Sequence, residues 1–200
     1  MRKRLIAVLL IVCLCAVGAF AKEKGKPWEP GDEPLMAPGD LAVSAGLGFG
    51  FLGGAIDVSG GAEYMLGKFM IGDAVPLTYG VAAKAAYYNL SEDYYGYTVK
   101  YSYLGAGVFG TLHLSIKDLN LPENMGWARN VDTYVGLGVG LYSYNYTNSV
   151  WSAYDVHDFY VRLRTVGGVN YFFNDHFAIN LEGGYYGGWG GGLIGVLFKL

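Results

Sequence analysis

Two hundred residues leave room for one domain. Charged residues make up 16% and aromatics 16%, with 32 glycines, 18 tyrosines and a formal net charge of −3, and no basic stripe points to nucleic acid as a partner. Beyond Ala21 no apolar run reaches the length of roughly 18 residues that a membrane helix needs, which excludes a helical membrane protein.

Residues 1–21 read as a secretory signal. Arg2, Lys3 and Arg4 form the basic start, Leu5 to Val17 the apolar stretch, and Ala19-Phe20-Ala21 an A-x-A cleavage site. Cys13 and Cys15 both lie in this segment, so the mature chain carries no disulfide and no cysteine-metal site. A lipid-attachment cysteine usually follows a small residue, whereas Val12 and Leu14 precede these two. Removing the three basic residues with the signal takes the net charge from −3 to −6. Residues 22–38 hold Pro27, Pro30, Pro34 and Pro38 among charges and glycines, and read as a flexible periplasmic leader.

From 39 to 200 the chain alternates every second residue. The spacing predicts strands at 41–52, 55–66, 77–89, 100–115, 131–146, 158–173, 176–187 and 193–200. One alternate set, which includes Leu41, Val43, Leu47, Val135, Leu137, Val139 and Leu181, carries no Asp, Glu, Lys or Arg. The other set holds Asp57, Glu63, Lys84, Arg162, Arg164, Glu182 and Lys199, with His113 beside them, among many glycines and alanines. A soluble barrel would turn this second set to water, but a soluble surface is about 25–35% charged, and these charges are too few. As a narrow barrel's filled interior the set makes sense, with glycines leaving room for long polar side chains. The expected fold is therefore all-β: an eight-stranded antiparallel up-and-down transmembrane β-barrel with the apolar set facing lipid. Asp57, Glu63, Lys84, His113, Arg162, Arg164, Glu182 and Lys199 are expected to form a polar network in the lumen. In it Arg162 and Arg164 should meet Glu182, Glu63 or Asp57.

The connections divide between two sides. Those near 53–54, 90–99, 147–157 and 188–192 should face outward, and those at 67–76, 116–130 and 174–175 inward. The 116–130 segment is long for a periplasmic turn and holds Pro122, leaving a short helix or a cap beneath the barrel as alternatives. Parity fixes one hairpin: facing residues share a side, so Phe173 must oppose Phe177 across a turn of Asn174, Asp175 and His176. Tyr171 then meets Ile179, and Val169 meets Leu181. Aromatics gather at both strand ends as belts: Tyr87, Tyr88, Tyr101, Tyr103, Tyr142, Tyr144, Phe159, Tyr185 and Trp189 on one side, and Tyr64, Tyr171, Phe173, Phe177 and Phe198 on the other.

On the last strand, with Gly195, Phe198 and Leu200, and on the fifth, DTYVGLGVGLY at 132–142, residues 39–200 resemble the small eight-stranded outer-membrane barrels of the OmpA/OmpW-like group. In that group Gly195, Phe198 and Leu200 match a C-terminal pattern read by the barrel-assembly machinery. Here Leu193 stands where a polar residue is usual, and the final residue is Leu instead of an aromatic. The resemblance implies an integral outer-membrane protein among outer-membrane lipids, structural or a small passive, porin-like channel. The alternative is a surface barrel that binds an external ligand through loops 90–99 and 147–157, where aromatics and acids mix.

Catalytic chemistry has little to stand on. The run at 187–192 is glycine-rich but lacks the Lys-Ser/Thr of a phosphate loop. His113, His157 and His176 have no metal-ligand spacing. A lipid-modifying enzyme would have to use His113 with Ser115, or His157 with Asp155 and Asp158. No enzyme activity, cofactor or metal is expected.

Overall fold

Alternation of small or polar side chains with bulky apolar ones suits an extended backbone with one wet and one greasy face, and each such stretch becomes a strand in the computed structural model. It describes residues 33–50, 56–72, 75–94, 96–119, 123–148, 156–186 and 189–200; the signal at 1–21 and leader residues 22–32 lie outside them. The strands are β1 (Leu41–Gly50), β2 (Ile56–Ile71), β3 (Val75–Tyr94), β4 (Tyr97–Ser115), β5 (Val131–Asn148), β6 (Val156–Phe172), β7 (Phe177–Tyr186) and β8 (Trp189–Lys199). Each pairs antiparallel with its neighbour, and β1 pairs with β8 to close an up-and-down barrel.

The apolar set faces out. Leu47, Val139 and Leu181 are 49%, 50% and 53% exposed, far above what a soluble core would allow. Ten strand residues at about 3.3 Å each, tilted about 40°, rise roughly 25 Å, the height of an apolar membrane band. β1 and β7 have that length, with 10 residues each. The wall from β3 to β6 is taller, its strands running to 20, 19, 18 and 17 residues. Above the band its outer face turns polar. Tyr87 gives way to Asn89, Leu104 to Ser102, Leu141 to Asn145, and Phe159 to His157.

Several connections are shorter than the sequence implied. The 67–76 connection narrows to a tight hairpin because β2 and β3 stay paired as far as Ile71 and Val75. A bulge at Leu66 shifts the register by one residue between Met65 and Gly67, and the Tyr79 ring fills the space beside Gly67. The 90–99 loop is mostly strand as well, pairing out to Tyr94 and Tyr97, with Gly96 at φ +95° in the turn. Much of 188–192 belongs to β8. In the 116–130 segment Ile116–Asp118 is a 3-10 turn, and Glu123–Asn130 is 3-10 helical with a kink at Met125.

The β6–β7 hairpin has the register that parity requires. Phe173 N–H donates to the Phe177 carbonyl at 2.9 Å, Tyr171 pairs with Ile179, and Val169 pairs with Leu181. Asn174 Oδ1 accepts from the backbone N–H of both His176 and Phe177, at 2.9 Å each. Replacing Asn174 by Ala should cost about 1 kcal/mol, since both donors lose their local acceptor. An unchanged urea midpoint in lipid vesicles would contradict that role.

The end of the leader is ordered, which departs from the flexible reading of 22–38. Met36 is fully buried at the mouth of the barrel nearest the termini, against Ala42, Met65, Phe172, Ala178 and Leu197, with Leu35 beside it. The segment is pinned by polar contacts. Leu35 N–H donates to Ser115 Oγ at 2.9 Å, Gly39 N–H to the Met65 carbonyl at 2.9 Å, and Lys199 Nζ to the Leu35 carbonyl at 3.1 Å. Burying Met36 in a pocket of small and apolar side chains gives residues 34–37 a contact that loop composition does not reveal.

Candidate functional site: the barrel interior

The lumen is built from pairs in which a long side chain faces a small one. Lys84 stands between Gly61 and Gly107, and Glu63 between Ala42 and Ala82. Arg162 faces Gly140, Arg164 faces Gly138, Glu182 faces Gly168, and Asp57 faces Gly48. The missing side chains make the room. A Cβ on Gly168 would lie 2.7 Å from the Tyr134 ring, and one on Gly140 would lie 2.9 Å from Arg164 Cγ.

These side chains join into one hydrogen-bonded chain across the interior. Lys84 and the Tyr134 hydroxyl both donate to Glu182. Asn180 Nδ2 donates to Tyr134 Oη at 3.1 Å and to Asn170 Oδ1 at 2.7 Å, and Asn170 Nδ2 donates to Asp132 Oδ2 at 3.0 Å. His113 bridges two acids, with Nδ1 2.8 Å from Asp132 Oδ2 and Nε2 2.9 Å from Glu63 Oε1. A ring that donates from both nitrogens carries both protons, and its charge then offsets the two carboxylates. Thr111 donates to Glu63 at the end of the chain. The Tyr134 ring stacks on His113, centroids 5.1 Å apart, with Lys84 Nζ 5.2 Å from its centre. Most of these groups are shut off from solvent, with Asp132 and Asn170 at 0% exposure and His113 at 1%.

The expected residues are therefore distributed over more than one place. Glu63, Lys84, His113 and Glu182 belong to the central chain. In the contacts just described Glu63 meets His113 and Thr111, and Glu182 meets Lys84 and Tyr134. Arg164 sits over the Tyr142 ring at 4.4 Å and donates to the Tyr103 hydroxyl at 3.4 Å. Arg162 lies 5.1 Å from the centre of the Tyr160 ring and 5.8 Å from that of Tyr142. Asp57 stays outside the central chain, opposite Gly48. Lys199 is at the mouth near the termini, paired with Asp40 at 3.1 Å.

Asp132, Tyr134, Thr111, Asn170 and Asn180 were not singled out from the sequence. Their inward parity was the available signal. The same parity corrects the aromatic belt on the far side. Tyr88, Tyr101, Tyr103, Tyr142 and Tyr144 occupy inward positions instead of facing lipid. Three of them make tilted ring contacts: Tyr101 with Tyr146 at 5.1 Å, Tyr103 with Tyr142 at 5.6 Å, and Tyr142 also with Tyr160 at 5.1 Å. On the near side Tyr64, Phe173, Phe177 and Phe198 do face outward.

The C-terminal residues are held in the closing seam. Gly195 pairs with Gly46 and Asn180, Phe198 with Val43 and Phe177, and Leu200 N–H donates to the Leu41 carbonyl at 2.8 Å. Ser115 Oγ accepts from Leu35 N–H, His157 Nδ1 contacts Asn145 at 2.7 Å, and Asp158 accepts from Tyr160; Asp155 lies outside the described residues. Among the described residues no cluster of His, Cys, Asp and Glu could hold a metal ion.

No family model matches this sequence, and no curated protein matches it. Solved structures do. Ail, the attachment invasion locus protein of Yersinia pestis, crystallised with the heparin analogue sucrose octasulfate, is similar at a TM-score of 0.54 and 12% identity, over 82% of this chain and 99% of that one. The N-terminal β-barrel domain of Pseudomonas aeruginosa OprF is similar at a TM-score of 0.50 and 16% identity, over 82% of this chain and 98% of that one. At such identities the likeness is one of fold. With its closed ring of eight strands, greasy outer face and filled polar interior, the chain has the fold of the small eight-stranded outer-membrane β-barrels.

Proposed function

We propose that this protein is an integral outer-membrane barrel with a structural role, closed to solute flow, whose tall β3–β6 wall stands at the cell surface. The observation that carries this reading is the continuous hydrogen-bonded chain from Lys84 to Thr111. Around the middle of the chain the remaining space is small: a void bounded by Ser44, Glu63, Lys84, Tyr134 and Asn180 measures about 10 Å³, and one by Tyr103, Phe109 and Arg164 about 20 Å³. Each holds about one water at most. A cavity of about 240 Å³ opens at the mouth near the termini and reaches as far as Thr78, His113 and Ser115, and Met36 and its neighbours fill another part of that mouth. This favours the structural half of the earlier expectation over the passive channel.

The same features support a non-catalytic reading. His113 has acid partners on both nitrogens and is buried, so neither nitrogen is left over for a substrate. The Gly195, Phe198 and Leu200 pattern fits delivery by the barrel-assembly machinery, with the termini in the periplasm. The test is electrical. The mature protein inserted in planar lipid bilayers should show no unitary conductance steps. Regular steps whose size scales with salt would overturn the closed-lumen reading.

A further inference from the structure

The cavity of about 240 Å³ at the mouth near the termini has greasy walls and a polar floor. The end of the β2–β3 hairpin, beyond the Leu66 bulge, supplies Met70, Pro76 and Leu77, and the ordered end of the leader supplies Pro34. The most deeply buried lining residues are Thr78, His113 and Ser115, at 4%, 1% and 2% exposure. Thr78 pairs with His113 across β3 and β4, and Ser115 stands two residues further along β4 on the same face.

The floor has hydrogen-bonding capacity to spare. Thr78 Oγ1 is buried and has no hydrogen-bond partner among the described residues. A buried hydroxyl left so is costly, and a ligand that satisfies it removes the cost. Ser115 Oγ accepts from Leu35 N–H at 2.9 Å, and a hydroxyl that accepts can still donate its own proton. Diagonal neighbours on one face stand about 7–8 Å apart at Cα, and closer at the side chains, so one small polar group between the two hydroxyls can reach both.

Charge selects what that group is. Behind the floor His113 lies between Glu63 and Asp132, and two carboxylates with one imidazolium leave one negative charge. An anionic head meets net repulsion there. An ammonium would lose its water against a floor of two hydroxyls and an imidazole. At the rim Lys68 and Asp118 carry opposite signs, so the entrance favours neither. Size sets the rest: a cavity of about 150 Å³ is enough for benzene, and this one adds room for a polar head.

We propose that this cavity binds an uncharged alcohol with a compact apolar body. The alcohol's hydroxyl donates to Thr78 Oγ1 and accepts from Ser115, and its hydrocarbon part lies against Met70, Pro76 and Leu77. The site is independent of the closed lumen: conductance steps in bilayers would sink that reading and leave this one standing.

Benzyl alcohol, benzoate and benzylamine share a ring and differ in the charge of the head. The mature chain in lipid nanodiscs, isotope-labelled at the methionine methyls, reports their binding by NMR through Met70 on the cavity lining. Benzyl alcohol should shift the Met70 methyl signal to saturation, and the two charged probes should bind at least about tenfold more weakly. T78V, which keeps the shape of threonine without its hydroxyl, should weaken benzyl alcohol about tenfold, and T78S should restore most of the affinity. Without ligand, T78V should unfold at the wild-type urea midpoint or above it, because no partner is left stranded. Shifts that never saturate, a charged probe that binds as tightly as the alcohol, or full affinity in T78V would overturn the proposal. So would a lower urea midpoint for T78V, which would give the Thr78 hydroxyl a structural partner of its own.

Discussion

Replacing His113 by Ala is expected to destabilise the barrel by about 3–5 kcal/mol, the cost of leaving buried charge uncompensated. His113 sits between Glu63 and Asp132, within hydrogen-bond distance of both, and all three side chains are buried. Without the ring, two buried carboxylates face each other with no cation between them. Either they stay charged and repel, or one takes up a proton; both routes lower the stability of the folded state. The same logic predicts a partial rescue. Adding Glu63→Gln to His113→Ala removes one of the stranded acids, keeps an acceptor for Thr111, and should recover part of the loss. Urea titration in lipid vesicles, followed by tryptophan fluorescence, reads both. If His113→Ala unfolded at the wild-type midpoint, the ring would be ballast and the interior network a coincidence of packing.

Gly138→Ala should be nearly as damaging, for a steric reason. A Cβ at Gly138 would lie 2.0 Å from the backbone carbonyl oxygen of Val108 and 2.8 Å from the Phe109 Cα. The obstacle is the neighbouring strand itself, so no side-chain rotation relieves it. Forcing β4 and β5 apart should cost about 1–3 kcal/mol or more, and the protein should refold in low yield. Gly48→Ala is the control. Its Cβ would come within 1.5 Å of Asp57 Oδ1, an even closer approach, but the obstacle there is the tip of a side chain that can swing away. The expected order of damage is therefore the reverse of the order of distances. Equal refolding yields and urea midpoints for the two variants would refute the claim that backbone contact, not proximity, makes Gly138 indispensable.

Strand parity made much of the interior legible. It placed Glu63, Lys84, His113, Arg162, Arg164 and Glu182 on the inner face before any coordinates, and it set the Phe173–Phe177 register. Applied without exception, it would have gone further. Tyr103 and Tyr142 carry inner parity, yet their position near strand ends suggested a lipid belt; in the fold they frame Arg164 instead. Asp132, Asn170 and Asn180 were equally accessible to the rule. What parity cannot supply is height. Whether Glu182 meets Lys84 or an arginine depends on strand tilt and on the stagger between strands, and no single strand's sequence encodes the stagger of its neighbours.

By itself, the sequence determined the class of fold and which side of it meets lipid. A period of two alternates faces, and the absence of charge from one face leaves hydrocarbon as its natural solvent. Tertiary structure alone decided how the inward side chains link across the lumen, that residues 34–37 fold into its mouth, and that β6 is longer than β7. Each of these depends on the distance between segments far apart in the chain, such as Leu35 and Ser115, or Lys84 and Glu182. Such distances are fixed only when the ring closes, because the stagger that lets β8 reach β1 also sets which inward side chains share a level.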